Sequence, residues 1–351
     1  MAIEVPLDVY SLIIEWAFRS SQHARSINPS TLRACALVCR AWTPIAQRLL
    51  FRRICCTCTN WHGPKCKIRL LVNTLSIRPN LAAHVRHMTV ASQPSKHANV
   101  CLRLLELCRH VEGIFFLDWA DNSTDTGAEL NARLRAMQLR PVLLEVVATE
   151  SSANGVLEAL PAVRVLTLRA AHVDSPLPPT IEALKIHGHN AGECLLRSTP
   201  LPALRYLSVI APLWSDTAIC PQLISTGILP QLESLQVKGR FPPPQTLEQL
   251  VRLRTLVVDQ LPEEPTKLLP SLRHFGYHSW TQYLSGQRAE HAKLAVDLIS
   301  ELPELRLVTA TRDVAQDVRA ALEGMCREEG VEFGTYAMPN HFWKPWNIDW
   351  I

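Results

Sequence analysis

The residues best suited to chemistry in this sequence are a short cysteine-rich run. Cys55, Cys56, Cys58, His62 and Cys66 lie close together. Thiolates and imidazole are the ligands that hold Zn²⁺ in a tetrahedron. The spacing is tighter than in usual zinc fingers, and no second Cys-x2-Cys pair follows it. We therefore expect unliganded thiols and no metal, with a zinc-dependent or hydrolytic enzyme as the alternative for this cluster.

Other catalytic signatures are missing from the sequence. It contains no G-x-S-x-G, G-x4-G-K-[ST] or G-x-G-x-x-G string, which are the marks of hydrolases, P-loop proteins and dinucleotide-binding proteins. The 13 histidines are scattered. His187 and His189 flank a glycine, which indicates a turn more than a base. We expect no enzymatic activity and no cofactor.

The composition and net charge exclude several further classes of protein. With 47% hydrophobic residues, 19% charged residues and a net charge of +4, the chain is neither disordered nor an obvious nucleic-acid binder. No apolar window is long enough for a membrane span. Acidic residues near the N-terminus argue against an export signal. Eleven cysteines in such a chain predict reduced thiols in the cytosol or nucleus.

The first fifty residues predict three short helices. The first runs from Pro6 to Arg19 with one apolar face, the second is capped by Ser30, and the third opens at Pro44. A polar loop at 20–29 separates the first two. So small a core gains stability by packing on a neighbour or a partner.

These helices contain three strings in a recognisable order: Val5-Pro6-Leu7-Asp8-Val9, then 32–42 with Val38-Cys39-Arg40-Ala41-Trp42 at its end, then 46–51 ending in Leu50-Phe51. The order and spacing resemble the F-box over residues 4–54. Two departures are Val5, where leucine is usual, and the longer gap at 20–29.

The resemblance implies docking to the Skp-type adaptor of a cullin-based ubiquitin ligase. Carried over by position, the adaptor-binding residues would be Pro6, Leu7, Val9, Leu37, Val38, Cys39 and Trp42. Apolar side chains that a small unit cannot bury are natural anchors for a partner. The alternative is that they form only the core of a helical hairpin.

Leucine dominates the rest of the chain, with 51 copies overall. Much of it lies in the string L-P-x-L-x-x-L-x-φ, where φ is apolar. Copies begin at Leu160, Leu201, Leu229, Leu250, Leu269 and Leu302, with a weaker copy at Ile181. Equivalent anchors are Leu166, Leu184, Leu207, Leu235, Leu256, Phe275 and Val308, and their steps are 18, 23, 28, 21, 19 and 33 residues.

Most of these steps are close to the roughly 20 to 29 residues of leucine-rich repeats, which the string resembles. Each L-x-φ would be a short parallel strand, and stacked copies would bury a common leucine core. Looser matches at 85–90 and 111–116 and a strand at 143–147 extend the series backwards. Helices are expected at 193–197, 219–225, 246–250, 290–302 and 313–328, and a last strand at 331–333.

The repeat departs from the family it resembles at one position. Family repeats continue with Asn or Cys three positions after the last apolar residue, where this chain has Ala171, His189, Pro212 and Arg240. The series is therefore expected to be irregular. The alternative is an irregular α/β domain with chance leucine strings.

The predicted fold is α/β: a small three-helix F-box followed by an irregular leucine-rich-repeat-type solenoid. The expected domains are an F-box-like helical domain (1–54), a cysteine-containing linker and helix (55–80), the repeat solenoid (81–337) and a tail (338–351). Trp343, Trp346 and Trp350 suggest that the tail packs on the final repeat or contacts a partner.

The predicted function is a non-catalytic substrate-recognition subunit of an SCF-type cullin ubiquitin ligase. Its partners would be the Skp-type adaptor and an unknown protein substrate, with no nucleic acid and no membrane. The alternative is a leucine-rich-repeat interaction scaffold that is independent of ubiquitin ligation.

Overall fold

The computed structural model describes two compact units, Met1–Ala162 and Val163–Ile351. The described residues are Val9, Leu12, 29–38, 40–56, 67–91, 95–117, 125–147, 153–169, 173, 176–188, 200–210, 226–238, 242–260, 269–277, 288–300, 302–311 and 314–336. Among these residues, no helix has both the length and the apolar character needed to cross a membrane.

From Pro29 onward the described part of the first unit has a helical pair and then alternating strands and helices. Its elements are α1 (Pro29–Val38), α2 (Trp42–Arg52), β1 (Arg53–Cys55), α3 (Lys67–Ile77), α4 (Pro79–Ala82), β2 (His87–Ala91), α5 (Ser95–Leu107), β3 (Gly113–Leu117), α6 (Asp125–Ala136), β4 (Leu143–Val147) and α7 (Asn154–Ala159). The four strands pair in parallel and in chain order.

The second unit contains eight described strands. Its elements are β5 (Val165–Arg169), β6 (Ala183–His187), β7 (Tyr206–Ile210), a 3₁₀ turn (Leu229–Gln231), β8 (Ser234–Lys238), α8 (Pro244–Gln249), β9 (Thr255–Val258), β10 (His274–Tyr277), α9 (Arg288–Ser300), β11 (Leu307–Thr311), α10 (Gln316–Glu328) and β12 (Glu332–Tyr336). All neighbours are parallel and follow chain order.

The leucine string explains this strand ladder. Its anchors are register partners: Leu207 lies between Leu184 and Leu235, for example. The seven anchors of the leucine string, from Leu166 to Val308, are all at most 1% exposed. Because alternate residues of a strand point to one face, the second and fourth positions of each strand share one apolar layer. This confirms the predicted α/β repeat body with parallel strands, and the matches at 85–90 and 111–116 and the strand at 143–147 correspond to β2, β3 and β4.

Two local features differ from the sequence expectation. β1 follows α2 without an intervening residue and pairs with β2, so the ladder of the first unit starts at Arg53. Only Ile54 of its three residues is buried, and so short an alternation gives no usable signal. The helices expected at 193–197 and 219–225, and the tryptophan tail, lie outside the described residues.

The backbone joins neighbouring repeats just before each strand as well as within it. The Arg164 carbonyl accepts hydrogen bonds from the N–H groups of Glu182 (2.8 Å) and Ala183 (3.0 Å). Arg205 does the same for Glu233 (2.8 Å) and Ser234 (3.1 Å). The residue that precedes a strand therefore holds a fixed register position, whatever its side chain.

Candidate functional site

The helical pair α1 and α2 encloses a very small core. Leu32 and Leu49 are its fully buried members, and Trp42, Ile45 and Leu50 pack against them. The Thr43 hydroxyl donates a 2.9 Å hydrogen bond to the carbonyl of Ala36, which ties the start of α2 to α1. Trp42, one of the predicted adaptor-binding residues, is thus half-buried and belongs to this core.

The carboxyl end of α1 presents apolar side chains to solvent. Leu37 is 86% exposed and Val38 is 63% exposed, so neither belongs to the core of a helical hairpin. Val9 and Leu12, both in helical conformation, are exposed as well. Of the other predicted adaptor-binding residues, Pro6, Leu7 and Cys39 lie outside the described residues. Exposed large apolar groups of this kind mark a candidate docking surface.

The cysteine-rich run divides between strand and undescribed residues. Cys58, His62 and Cys66 lie outside the described part of the chain. Cys55 is exposed, whereas Cys56 is buried, and a hydrogen bond between the Cys56 and Cys101 thiols, together with burial, raises the pKa of Cys56. A raised pKa suppresses the thiolate, so Cys56 is a poor nucleophile at neutral pH.

Cys101 of α5 and Cys108, which follows α5 directly, are core residues of the first unit. Burial raises the pKa of Cys108 to about 12. Within the described residues, no group of three His, Cys, Asp or Glu side chains is placed to hold a metal ion.

A buried polar row on the strands of the second unit was not anticipated from the sequence. It occupies the middle position of each strand, between the two core positions, and its polar members are Thr167, Lys185, Ser208, Gln236 and Thr309. The only signal was a polar x in several copies of L-x-φ. The sequence alone does not show whether the polar residue at position x of a strand is buried or exposed to solvent.

Hydrogen bonds within this row are structural in character. Ser208 donates to the side-chain oxygen of Gln236 at 2.9 Å, and the His274 Nε2 lies 2.9 Å from the Thr309 hydroxyl. A nucleophile needs a base within hydrogen-bond reach. Ser208 has an amide there instead of an imidazole.

Ion pairs connect some successive repeats at the residue before the strand. In the first unit Arg86 Nε lies 3.1 Å from Glu112. In the second, Arg164 makes two parallel bonds to Glu182 (2.8 and 2.7 Å), and Arg205 bonds Glu233 at 3.1 Å. The fork of Arg164 on the Glu182 carboxylate raises the pKa of Arg164. These pairs are largely solvent-exposed, so each stabilises the fold only weakly.

Comparison with known proteins gives a fold likeness and no family. No protein-family model matches the chain, and no curated protein matches it. Among solved structures, an internalin from Listeria monocytogenes is similar, with a TM-score of 0.35 and 10% sequence identity over 78% of this chain and 88% of that chain. The repeat assignment rests on the strand ladder itself.

Proposed function

We propose that the chain is a non-catalytic recruiting protein with two binding parts. In this proposal the exposed apolar end of α1 docks an adaptor of the Skp type, and the strand ladder of the second unit holds a protein target. Its finer form is the substrate-recognition subunit of an SCF-type cullin ubiquitin ligase, an idea that comes from the F-box resemblance of residues 4–54.

The observation that carries the proposal is the exposure of Leu37 and Val38. Fully burying one such side chain is worth about 1.5–3 kcal/mol. The helical pair itself cannot supply that burial, because its core is filled by Leu32, Leu49 and the three side chains packed on them. A partner that covers the end of α1 gains this free energy.

The mechanism would be proximity. A chain that holds an adaptor on one part and a target on another raises the local concentration of the target near an enzyme carried by the adaptor. None of the buried thiols or hydroxyls described above is required to react.

A pull-down with a purified Skp-type adaptor tests the proposal. The wild type is expected to retain the adaptor, and Leu37→Glu/Val38→Glu is expected to lose it, because both charges would have to be desolvated at the contact. Val251→Glu is the matched control, since Val251 is 62% exposed in the second unit and its variant should bind as the wild type does.

Two results would go against the proposal. If the wild type does not retain the adaptor, the ubiquitin-ligase role fails and the independent interaction scaffold becomes the better hypothesis. If Leu37→Glu/Val38→Glu binds as well as the wild type, the end of α1 is not the docking surface. Trp42 is left unchanged in this design because its loss would disturb the helical core.

A further inference from the structure

The residues that immediately precede β5 to β11 form one line across the second unit, called here the edge column. Its members are Arg164, Glu182, Arg205, Glu233, Arg254, Arg273 and Arg306. Their backbones are fixed by the paired carbonyl contacts described above. Neighbouring parallel strands lie about 4.8 Å apart, so the column is a row of charges with that approximate spacing.

The two ends of the edge column differ in charge. At the first end, positive and negative residues alternate and neutralise each other through the Arg164–Glu182 and Arg205–Glu233 pairs. At the second end, Arg254, Arg273 and Arg306 follow one another without an intervening acid in the column. We call these three residues the arginine end.

Within the described ranges, one carboxylate is bound to the arginine end. Arg273 Nε lies 3.2 Å from Glu304. Arg254 and Arg306 are exposed, and neither makes an ion pair with any residue in the described ranges. Counting the three arginines and this one described carboxylate, three positive charges and one negative charge leave a net charge of +2.

Charges this close repel each other, since the Debye length at physiological salt is about 8 Å. An anion laid along the row relieves the repulsion. Guanidinium groups bind carboxylates through two parallel hydrogen bonds, which adds geometric selectivity to the charge attraction. The arginine end is therefore suited to a ligand with several carboxylates in a line.

We propose that the arginine end binds an acidic segment of a protein partner. The inference rests on the proposed function and names the chemistry of the target that the second unit would hold. The row spans about 10 Å, which is the length of roughly three residues of extended peptide. Successive acidic side chains of such a segment would meet Arg254, Arg273 and Arg306 in turn.

A nucleic acid fits this surface less well. A phosphate backbone that continued along the edge column would meet Glu233 on one side of the arginine end and Glu332, the first residue of β12, on the other. Nucleic-acid binding draws its affinity from many phosphate contacts. The positive stretch here is too short to supply them.

Fluorescence anisotropy on the full chain tests the inference. The probe is a short labelled peptide of consecutive glutamates, with a glutamine version as the neutral comparison and a single-stranded oligonucleotide as the nucleic-acid comparison. We expect the glutamate peptide to bind best, and more weakly as salt is raised. Arg254→Glu/Arg306→Glu should raise its Kd roughly tenfold or more, as expected for the loss of two exposed ion pairs.

The controls separate a lost contact from a lost fold. Lys293→Glu reverses one charge, as each substitution of the double variant does, at an exposed position of α9 and should leave the Kd unchanged. Arg254→Gln/Arg306→Gln repeats the test with neutral side chains if the glutamate variant does not fold. The inference is overturned if the double variant binds like the wild type, if both peptides bind equally, or if the oligonucleotide binds in preference.

The same variant keeps this inference distinct from the proposed function. Arg254→Glu/Arg306→Glu should still retain the adaptor in the pull-down, and peptide binding is measured with no adaptor present. Weak or unselective peptide binding with the adaptor retained rejects the arginine end alone. Selective peptide binding without adaptor retention rejects the docking role of α1 alone.

Discussion

At the residue scale, His274 has the environment that links stability most directly to pH. It is the first residue of β10, it is buried, and its Nε2 is engaged by Thr309. Burial lowers the pKa of His274 to about 4. The ring is therefore neutral in the folded chain at every pH where the protein would ordinarily work.

A pH dependence of folding follows from that pKa. In the unfolded chain the ring takes up a proton below about pH 6.5, while in the folded chain it does so only near 4. The contribution of His274 to the free energy of unfolding should be fully retained above about pH 6.5 and fall by up to about 3 kcal/mol as the pH drops to 4. Urea unfolding across this range measures the loss.

The variant His274→Gln should flatten this part of the profile, although it also costs stability at pH 7 through lost packing. His110→Gln is the control, since the His110 ring lies in the solvent and its loss should leave the profile unchanged. Profiles of His274→Gln and wild type that run parallel between pH 6.5 and 4 would refute the link.

The residue scale also shows how far sequence carries a site prediction. The spacing of Cys101 and Cys108 is typical of two residues on one apolar side of a helix, and both are buried. The contact of Cys56 with Cys101 was not predictable, because it depends on where α5 lies relative to the residue that follows β1. The exposure of Leu37 and Val38 was not predictable either, because an apolar pattern does not show which of its residues a small core can bury.

At the element scale, Gly276 shows what a strand in the middle of the ladder requires. It lies in β10, in register with Val257 of β9 and Thr309 of β11. A Cβ at this position would come within 2.9 Å of the Val257 Cγ2 and 3.1 Å of the Thr309 Oγ1. Two branched side chains fill the space above the glycine, so the three strands pack as a set.

Replacing Gly276 by alanine is expected to destabilise the protein by about 1–3 kcal/mol, the usual cost of overpacking. Gly324→Ala should have the opposite sign. Gly324 lies within α10, no described atom lies within 4 Å of a Cβ there, and alanine in place of glycine stabilises a helix by about 0.5–1 kcal/mol. The urea unfolding midpoints of both variants, compared with the wild-type midpoint, test these two stability changes. Midpoint shifts in the same direction would contradict the close packing described at Gly276.

Elements were predictable where their pattern was long or repeated. Periodicity or a repeated motif predicted the strands of the leucine string and the helices α9 and α10. β1 was missed because three residues are too few to show a period. The buried polar row was not predicted, because the alternation along a strand distinguishes its two faces but does not show whether other residues bury the second face.

At the scale of the whole molecule, the second unit is a one-dimensional stack. Each strand from β6 to β11 pairs with the strand before it and the strand after it, so stability is expected to be a sum of repeats and of the contacts between neighbours. The last described strand, β12, covers β11, where Val308, Thr309 and Ala310 are fully buried. Its loss would leave an unpaired strand edge, which favours aggregation.

A pair of truncations isolates that contribution. A chain ending at Glu329 lacks β12, whereas a chain ending at Tyr336 keeps it, and both lack the tryptophan tail. The shorter chain should melt at a lower temperature and aggregate at concentrations that the longer one tolerates. Differential scanning fluorimetry and light scattering compare the two, and equal melting temperatures would mean that β12 is not an essential cap.

The α/β repeat class was predictable at this scale because it depends on the number and spacing of copies, which the sequence displays directly. The edge column was not anticipated. It emerges only when residues 18 to 33 positions apart, such as Arg164 and Glu182 or Arg273 and Arg306, are brought into register by the ladder.

The backbone contacts at the edge column have a consequence for variation and engineering. Since carbonyl and amide groups hold the repeats together there, substitutions that change only the charge of those side chains leave the joints between repeats intact. Stability and recognition are therefore separable at these seven positions. Charges could be exchanged along the column to give variants of one fold that prefer differently charged ligands, without redesigning the leucine core beneath.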